Sequence, residues 1–566
     1  MSRVTKSRSP DDAPPKVPQH DMVHWFDPGQ LLVTGVEVFT ATTLGQRGDY
    51  RLTEDHYQNV FDYTAGPPGM RDEIWFDYMA DTGDGWESTH AMACLVAQPH
   101  LLVGHEKLPR GQFLFLGGDE VYPCAERQAY RERLVAPLEQ ALPRTDAPNP
   151  QLFAIPGNHD WYDGLTAFSR RFLQHRWIGG WETWQTRSYF AIKLPQRWWL
   201  LAVDVQLESN IDFQQLAYFG QAATEMRKGD QVILATAEPD WLYRDIHDPE
   251  AESNLGYLEE KVINPTGARV HLWLAGDLHH YRRHEHATDP TKQRIVSGGG
   301  GAYLAATHKP LFGPEATSMR HSVTVGKERF EQRRAFPSPA TSFRLSLLNC
   351  LFLFRNWRFG LLTGLAYVGL TWASASAQRP DITPAGVAKG FLALLTEEPG
   401  RTPILLAVLA GFVFFSYYSG HGDRDGRLFR LVGGFLHGWA HIAAALTIAY
   451  AAVLICGESS LAPLWRLFVN FVGGAIAGPV LWGLYLMVAY SVFGAHSDES
   501  FSALRVKDYK NFLRFHVRRD GALEIFPIGV TKVPRYRDSH AHYTLIEDSI
   551  VIPRQLKRSS SLRIHP

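Results

Sequence analysis

Residues 151–160 read QLFAIPGNHD, and this stretch decides the fold that the sequence predicts. Gln151–Ile155 is short and rich in Leu, Phe and Ile, which is typical of a buried strand. A glycine turn follows the run and lets the backbone bend sharply before Asn158, His159 and Asp160. Taken alone, this turn is weak evidence, because an ordinary loop can have the same composition.

Similar turns follow three other apolar runs. ADTGDG (80–85) follows Ile74–Ala80, GDEVY (118–122) follows Gln112–Leu116, and GDLHH (276–280) follows Val270–Ala275. Further runs of the same kind are Trp198–Val203, Gln231–Thr236 and Arg294–Val296. A site assembled at the C-terminal ends of several strands is the usual arrangement in layered α/β proteins. The sequence therefore predicts an α/β catalytic domain over residues 21–330.

These turns carry the ligand types that two-metal phosphoryl transfer requires. That chemistry uses hard oxygen and imidazole ligands, with one carboxylate bridging two ions about 3.5–4 Å apart. It also uses a group that protonates or stabilises the leaving oxygen. The prediction is specific because four such turns occur in this order and at strand ends. Any one of the turns alone would be weak evidence.

The motif series resembles that of the calcineurin-like metallophosphoesterase superfamily, in its purple-acid-phosphatase variant. The matching motifs are Asp81-Thr82-Gly83, Gly118-Asp119-x-x-Tyr122, Gly157-Asn158-His159-Asp160 and Gly276-Asp277-x-His279. The resemblance covers roughly residues 73–307 and implies a four-layer α/β/β/α sandwich. It also implies hydrolysis of a phosphomonoester or phosphodiester by attack of a metal-bound hydroxide.

The resemblance assigns a role to each motif residue. A first metal ion would be bound by Asp81, Asp119, Tyr122 and His279. A second would be bound by Asp119, Asn158 and Asp277. His159 would contact the phosphate and assist the leaving group, and Asp160 would orient the ring of His159.

Two positions depart from the pattern of this superfamily. Its lone histidine falls on Ala237, which cannot bind a metal, so Glu238 is a candidate substitute. The first histidine of its last motif is Asp277 here. An oxygen-rich second site favours Mn²⁺ or Mg²⁺ over Zn²⁺, with Fe a further candidate at the Tyr122 site. The extra negative charge is also compatible with a second ion that is weakly bound or absent.

Three features near the motifs have two interpretations each. Asp84 is either a further ligand or ligand partner, or an aspartate that stabilises a turn. His280 either faces the phosphate or lies at the surface. Gly298–Gly301 either brings backbone amides close to an anion or is a flexible turn.

Four later segments contain no Asp, Glu, Lys or Arg: 359–377, 403–419, 431–456 and 467–494. Because about 17–25 apolar residues span a bilayer, they predict a membrane domain over 340–495 with four transmembrane helices. The alternative is four buried helices of a soluble domain. Basic residues lie before the first span, between the second and third, and after the fourth. This distribution predicts a multi-pass cell-membrane protein with both termini and the catalytic domain in the cytoplasm.

The remaining segments are short. Residues 1–20 are rich in Ser, Pro and charge and predict a disordered leader. Residues 496–553 contain strand-like runs, which predict a small β-rich cytoplasmic domain, and 554–566 predict a basic flexible tail. A net charge of −1 is not that of a nucleic-acid-binding protein.

The sequence therefore predicts a membrane-anchored phosphoesterase, with a phospholipid or lipid-linked phosphate favoured by the tether to the bilayer. A soluble nucleotide stays open as the substrate. The alternative from another class is a non-catalytic metal- or ligand-binding sensor or scaffold, which Ala237 and Asp277 support. His437 and His441 lie four residues apart in the third span, and hydrogen bonding between helices is favoured for them over a functional site.

Overall fold

The computed structural model describes residues 17–44, 59–65, 72–145, 149–205, 210–242, 253–311, 322–373, 402–418, 427–457, 460–536 and 541–554. Most of the predicted leader and nearly all of the predicted basic tail lie outside these ranges, so both stay predictions.

Each apolar run predicted as a strand in the catalytic region forms one, with ends shifted by one or two residues. The strands of the described residues are β1 (Phe61–Asp62), β2 (Ile74–Met79), β3 (His100–Val103), β4 (Glu106–Pro109), β5 (Phe113–Leu116), β6 (Gln151–Ala154), β7 (Trp177–Ile178), β8 (Trp181–Thr183), β9 (Phe190–Leu194), β10 (Trp198–Ala202), β11 (Gln231–Ala235), β12 (Arg269–Ala275), β13 (Tyr281–His286), β14 (Gln293–Ser297), β15 (Ser322–Val325), β16 (Glu328–Phe336), β17 (Lys510–Val517), β18 (Leu523–Val530), β19 (Thr544–Leu545) and β20 (Ile550–Ile552).

Helices lie between the strands and then dominate the chain from residue 339 to residue 504. They are α1 (Pro28–Leu44), α2 (Trp86–Ala97), α3 (Arg127–Ala129, continued by a π-helical turn over Tyr130–Val135), α4 (Ala136–Ala141), α5 (Asn158–Trp161), α6 (Thr166–Phe172), α7 (Phe213–Ala223), α8 (Asn254–Leu258), α9 (Pro339–Ser346), α10 (Phe352–Arg355), α11 (Phe359–Ala373), α12 (Thr402–Tyr418), α13 (Arg427–Cys456), α14 (Ala462–Phe493) and α15 (Ser497–Leu504).

Most of the described strands form two large sheets. One sheet has the order β1-β9-β10-β11-β12-β14-β13-β16-β15, and the other has the order β19-β18-β17-β2-β5-β6-β8-β7, with β20 beside β18. In the second sheet β2, β5 and β6 are parallel, and in the first sheet β11 and β12 are parallel. Because parallel strands end at one edge of a sheet, the turns that follow them lie side by side.

Alternate residues of each sheet enter different cores. On β5, Phe113 and Phe115 pack in a core that contains residues of both sheets, while Leu114 and Leu116 pack against α2. On β11, Ile233 belongs to the same shared core, while its neighbours pack with residues of α7 and α8. The two sheets therefore share one apolar layer, and helices cover their other faces. This is the period of two expected for strands buried on both sides.

The C-terminal strands do not form the separate small domain predicted over 496–553. Instead β17 pairs antiparallel with β2, so that Arg514 lies opposite Asp77, and β18 continues the same sheet. Leu513 and Phe515 enter the core shared by the two sheets. The physical reason is that β2 would otherwise be an edge strand, and β17 covers its unpaired backbone groups.

Two described helices are long and apolar enough to cross a membrane, by length and composition: Arg430–Cys456 and Ala462–Phe493. The first two predicted spans correspond to shorter apolar helices, Phe359–Thr371 and Leu406–Tyr417. Parts of those two predicted spans, 374–377 and 419, lie outside the described residues. Four crossings therefore stay a prediction.

The apolar helices approach one another through small residues. A Cβ atom on Gly474 would lie 2.5 Å from Cβ of Tyr367, and one on Gly360 would lie 2.5 Å from the carbonyl oxygen of Ala475. Between α11 and α13, the hydroxyl of Tyr367 is 2.9 Å from Nδ1 of His441. Within α13, Nε2 of His441 is 3.0 Å from Nε2 of His437. The predicted hydrogen bonding between helices is confirmed for His441, and for His437 it stays a prediction.

We expect the buried ion pair between β2 and β17 to be essential for stability. Nε and Nη2 of Arg514 lie 2.7 Å and 3.0 Å from the two carboxylate oxygens of Asp77. Their side chains are 0% and 2% exposed. Because Arg514→Ala leaves a buried carboxylate without its partner, it should cost about 3–5 kcal/mol of the free energy of unfolding. Unfolding of the full chain in detergent measures this.

The matched control is Arg518→Ala, which removes an exposed pair with Asp520 at 2.8 Å. Exposed pairs contribute about 0–1 kcal/mol. Equal losses for the two variants would contradict the importance assigned to the Asp77–Arg514 pair.

Candidate metal centre

The backbone at the motif turns places the predicted ligands. Asp81, Asp119, Asp277 and His279 all have positive φ angles, of 57°, 52°, 71° and 47°. Non-glycine residues rarely adopt this left-handed region, and such strain concentrates at functional sites. Each of these residues follows a buried strand, so the reversal turns its side chain back toward the common edge of the sheets.

The four residues predicted to bind the first metal ion come together. One ligand atom each from Asp81, Asp119 and His279 lies within 4.8 Å of the others, and all three side chains are buried. The phenol oxygen of Tyr122 lies 3.0 Å from Oδ2 of Asp119 and 2.9 Å from Nε2 of His279. Two carboxylates, a phenol and an imidazole therefore converge on one point.

Backbone amides fix the Asp81 carboxylate. Its two oxygens accept hydrogen bonds from the amides of Asp277 at 2.9 Å and His279 at 3.2 Å. Gly298 lies directly behind it, because a Cβ atom there would be 1.9 Å from Oδ2 of Asp81. The amides of Gly300 and Ala302 donate to the carbonyl oxygens of Ala80 and Asp81. The glycine run predicted as an anion loop or flexible turn thus packs against the Asp81 turn.

The second predicted metal position is less complete. Nδ2 of Asn158 is 3.3 Å from the hydroxyl of Tyr162, while its buried Oδ1 has no hydrogen-bond partner among the described residues. Ala237 lies beside this position, since its Cβ is 2.5 Å from the place a Cβ of Gly118 would occupy. Asp277 and Glu238 lie outside the compact group formed by Asp81, Asp119 and His279. The position of the missing imidazole is therefore next to the site, and it holds a methyl group.

His159 lies beside the first position with a fixed ring. Its amide donates to Oδ1 of Asp119 at 3.0 Å, and its Nδ1 lies 2.6 Å from the carbonyl oxygen of Pro123. Nδ1–H donates a hydrogen bond to that carbonyl, so Nε2 is the ring nitrogen left to meet a substrate. The ring is half-buried between Tyr122 and Trp25, at centroid distances of 4.4 Å and 6.0 Å.

Asp160 does not orient the His159 ring, which corrects the role predicted for it. Its Oδ2 accepts from the amides of Gly157 at 2.9 Å and Glu120 at 3.1 Å, and its Oδ1 accepts from the hydroxyl of Tyr130. The carboxylate caps the start of α5 and connects two motif turns, so it is a positioning residue. The helical turn places its side chain toward those amides.

Burial shifts the pKa values of the ionisable groups in the site, and the carboxylates repel one another. Burial raises the pKa of Asp81 well above its ordinary value, and repulsion from Asp119 and Asp277 raises it further. Burial lowers the pKa of His279 to about 3, with Lys510 contributing, so this imidazole is neutral near pH 7. A neutral imidazole and crowded carboxylates are the forms that bind a divalent cation.

Asp84 and His280 are both buried inside the protein. The two carboxylate oxygens of Asp84 accept from the amides of Val23 at 2.7 Å and Tyr303 at 3.0 Å. It therefore joins two distant segments, and the ligand interpretation is not supported. His280 is only 2% exposed, so the predicted surface placement is wrong, and burial lowers its pKa well below the ordinary value.

Three residues close to the site were not predicted from the sequence. Trp25 lies against His159, and the ring of Tyr303 meets His279 edge-on at 4.6 Å. The ammonium of Lys510 is fully buried and donates to the carbonyl oxygen of Ala302, and burial lowers its pKa to about 8. A lysine within an apolar strand was the one available hint, because buried lysines need a partner.

Two solved structures are similar to part of this chain, whereas no protein-family model and no curated protein matches it. Among solved structures, GAP50, the anchor in the inner membrane complex of Plasmodium, is similar with a TM-score of 0.31 and 12% identity, over 44% of this chain and 76% of that chain. Purple acid phosphatase PPD1 from yellow lupin (Lupinus luteus) seeds is similar with a TM-score of 0.30 and 12% identity, over 46% of this chain. The matched part spans 48% of the lupin enzyme, about half its length.

We expect the ligand set to be measurable by metal content. Tyr122→Phe removes the phenol oxygen and should weaken Mn²⁺ binding by about ten- to a hundredfold, the usual effect of losing a supporting group at a metal site. Asp119→Ala should abolish binding, because the carboxylate belongs to both predicted positions. Ala237→His should raise the occupancy of the second ion. Elemental analysis after dialysis measures all three.

His105→Ala is the matched control, since this histidine is exposed in the turn between β3 and β4. Unchanged metal content in Asp119→Ala would show that the ions bind elsewhere.

Proposed function

We propose that this protein is a membrane-anchored, metal-dependent phosphoesterase of the calcineurin-like metallophosphoesterase superfamily. The observation that carries the proposal is the convergence of Asp81, Asp119, Tyr122 and His279, with His159 held beside them. The two sheets that share one core, with helices on their other faces, support the four-layer sandwich that the superfamily implies.

The donor set fits a hard divalent or trivalent cation. Asp81, Asp119, Tyr122 and His279 would hold the first ion, and Asp119, Asn158 and Asp277 would hold the second. The orphaned Oδ1 of Asn158 is a buried acceptor that a cation would satisfy. When bound, such ions bind phosphate oxygens and lower the pKa of water, which supplies the nucleophile. Oxygen ligands favour Mn²⁺ or Mg²⁺, and the phenolate favours iron at the first position.

The protein's own residues would orient the substrate and protonate its leaving oxygen. Asp81 is held in place by two amides, so its oxygens need no reorganisation when the substrate binds. His159 keeps its Nδ1 proton in the hydrogen bond to the carbonyl of Pro123, so in its protonated form it would direct Nε2–H to the phosphate and give that second proton to the leaving oxygen, ending as the neutral ring. Tyr303 and Trp25 would exclude water from one side of the site.

A phosphate on or near a membrane lipid is the substrate class that the tether favours. The N-terminal segment that carries Trp25 continues into Phe26, which packs edge-on against Phe352 and Phe359 at the base of α11. The next helix, α1, leaves Leu32 70% exposed and Val36 57% exposed. The metal site and the apolar helices are therefore joined by a short segment, as suits a substrate presented at the bilayer surface.

A non-catalytic sensor or scaffold is the second candidate. It is favoured by Ala237, which leaves the second metal position without an imidazole. The fixed ring of His159 argues for catalysis, because a site that only binds an ion has no need of a directed proton donor.

We expect the purified full chain to hydrolyse bis-p-nitrophenyl phosphate or p-nitrophenyl phosphate with Mn²⁺ or Mg²⁺, and chelation to abolish the activity. His159→Ala should lower kcat by about 10²–10⁴-fold, the range for loss of a general acid. Asp119→Ala should remove activity together with the metal, and His105→Ala should leave it intact. The phosphoesterase proposal fails if no ester in a broad panel is cleaved, or if His159→Ala retains full activity.

The lipid proposal is tested by comparing the hydrolysis of lipid phosphates in detergent micelles with the hydrolysis of nucleotides. A clear preference for nucleotides would end it.

We also expect the orientation to be measurable with two native cysteines. Cys350 is exposed in the turn before α10, and Cys456 ends α13, whose opposite end carries Arg427 and Arg430. Because basic residues mark the cytoplasmic side, a membrane-impermeant maleimide should label Cys456 in intact cells, and Cys350 only after permeabilisation. Single-cysteine variants separate the two signals, and the reverse pattern would contradict the orientation.

A further inference from the structure

A cavity of about 620 Å³ is lined by residues that follow Pro123 and the Asn158–Asp160 turn in the chain. Its wall includes Arg127, Arg170, Arg171 and Arg176, with Tyr130 and Asp163 between them. We call these residues the arginine pocket. Its volume is in the range of small-molecule sites, which is roughly 300–1,000 Å³.

The arginine pocket has an excess of positive charge. Against four guanidinium groups it offers the carboxylates of Glu126 and Asp163. No described carboxylate forms an ion pair with any of the four arginines, whereas the neighbouring Arg131 is paired with Glu139 at 2.7 Å. Arg176 donates to the amide oxygen of Gln174, at 3.1 Å. Burial lowers the pKa of Arg171, and repulsion from Arg131 and Arg176 contributes. Guanidinium groups gathered without carboxylate partners among the described residues are an anion-binding arrangement.

Two chain segments connect the arginine pocket to the metal centre. The first runs from Pro123, which holds the His159 ring, to Arg127. The second runs from His159 through α5 to Asp163. At about 1.5 Å of rise per helical residue, four residues advance only about 6 Å. Tyr130 belongs to both places, since it lines the pocket and its hydroxyl donates to Asp160.

We propose that the arginine pocket binds a second phosphate group of the substrate, while the first is cleaved at the metal centre. The inference rests on the proposed phosphoesterase function and narrows it to substrates with two phosphate groups. The second phosphate is on a soluble metabolite or on a lipid headgroup, and the chemistry that the arginines recognise is the same. Arginine binds phosphate with two parallel hydrogen bonds, so the pocket would also set the orientation of the substrate.

Binding is tested first, without turnover. The full chain in detergent is freed of metal with a chelator and titrated with inorganic pyrophosphate by calorimetry. The crowded carboxylates of the metal-free centre repel this anion, so the arginine pocket is its expected site. Arg170→Gln/Arg171→Gln should bind it at least tenfold more weakly, and added salt should weaken binding to the unmodified chain. Arg171→Lys, which keeps the charge, should retain more affinity than Arg171→Gln.

The matched control is Arg227→Gln, an exposed arginine after α7 that should not change the affinity. If the double variant fails to fold, Arg176→Gln replaces it, since that side chain is exposed. Equal pyrophosphate affinity in the folded pocket variants and the unmodified chain would overturn the proposal.

Turnover is tested second, with substrate pairs that differ by one phosphate. The soluble pair is glucose 1,6-bisphosphate with glucose 6-phosphate, and the lipid pair is phosphatidylinositol 4-phosphate with phosphatidylinositol in mixed micelles. The unmodified chain should have at least a tenfold lower KM for the doubly phosphorylated member of the pair that it cleaves. The double variant should lose that preference. A KM that rises equally for both members would indicate a merely structural role and overturn the proposal.

The two tests separate this inference from the proposed function. If no phosphoester is cleaved, the proposed function fails, and pyrophosphate titration alone then decides whether the arginine pocket binds phosphate.

Discussion

Crowding of buried carboxylates is the constraint on which the site depends. The buried Asp81 and Asp119 and the half-buried Asp277 stand at turns from different strands. Burial raises the pKa of Asp81, and repulsion from the other two carboxylates raises it further. Such an arrangement is costly unless amides and a cation compensate the charge. The amides are supplied by the chain itself, and the donor set for the cation is complete at one position. The same crowding explains the glycine at position 157, because a Cβ atom on Gly157 would lie 2.1 Å from Oδ1 of Asp119.

Segments from both ends of the chain enclose this crowded site. Asp84 binds the amide of Val23 from the N-terminal side, and Lys510 reaches Ala302 from the C-terminal side. Lys510 is the first residue of β17, which lies beside β2 and therefore beside the Asp81 turn. The chain between Asp84 and Lys510 includes the apolar helices. Strands and short connections thus join these helices to the candidate metal centre.

Contacts at the base of the helices extend this coupling. The hydroxyl of Tyr490 on α14 donates to the carbonyl of His308, 2.8 Å away, and Arg505 donates to the side chain of Asn356 near the start of α11. The residues of the arginine pocket follow Pro123 and the Asn158–Asp160 turn, so the two phosphate-binding regions proposed for the protein share these two segments.

The sequence by itself determined the strands, the turns that follow them and the residues that these turns bring together at the candidate metal centre. It could do so because a buried strand is a local apolar pattern and a sharp turn with a polar ligand is a local motif. It also located the apolar helices and the absence of an imidazole at Ala237. Only the tertiary structure decided that β17 belongs beside β2, that Pro123 rather than Asp160 orients His159, and that four arginines share a cavity. These features depend on which separate segments meet. Arg514 and Asp77 are 437 residues apart, and Pro123 and His159 are 36 apart. Strand pairing and side-chain direction between such segments leave no local pattern to recognise.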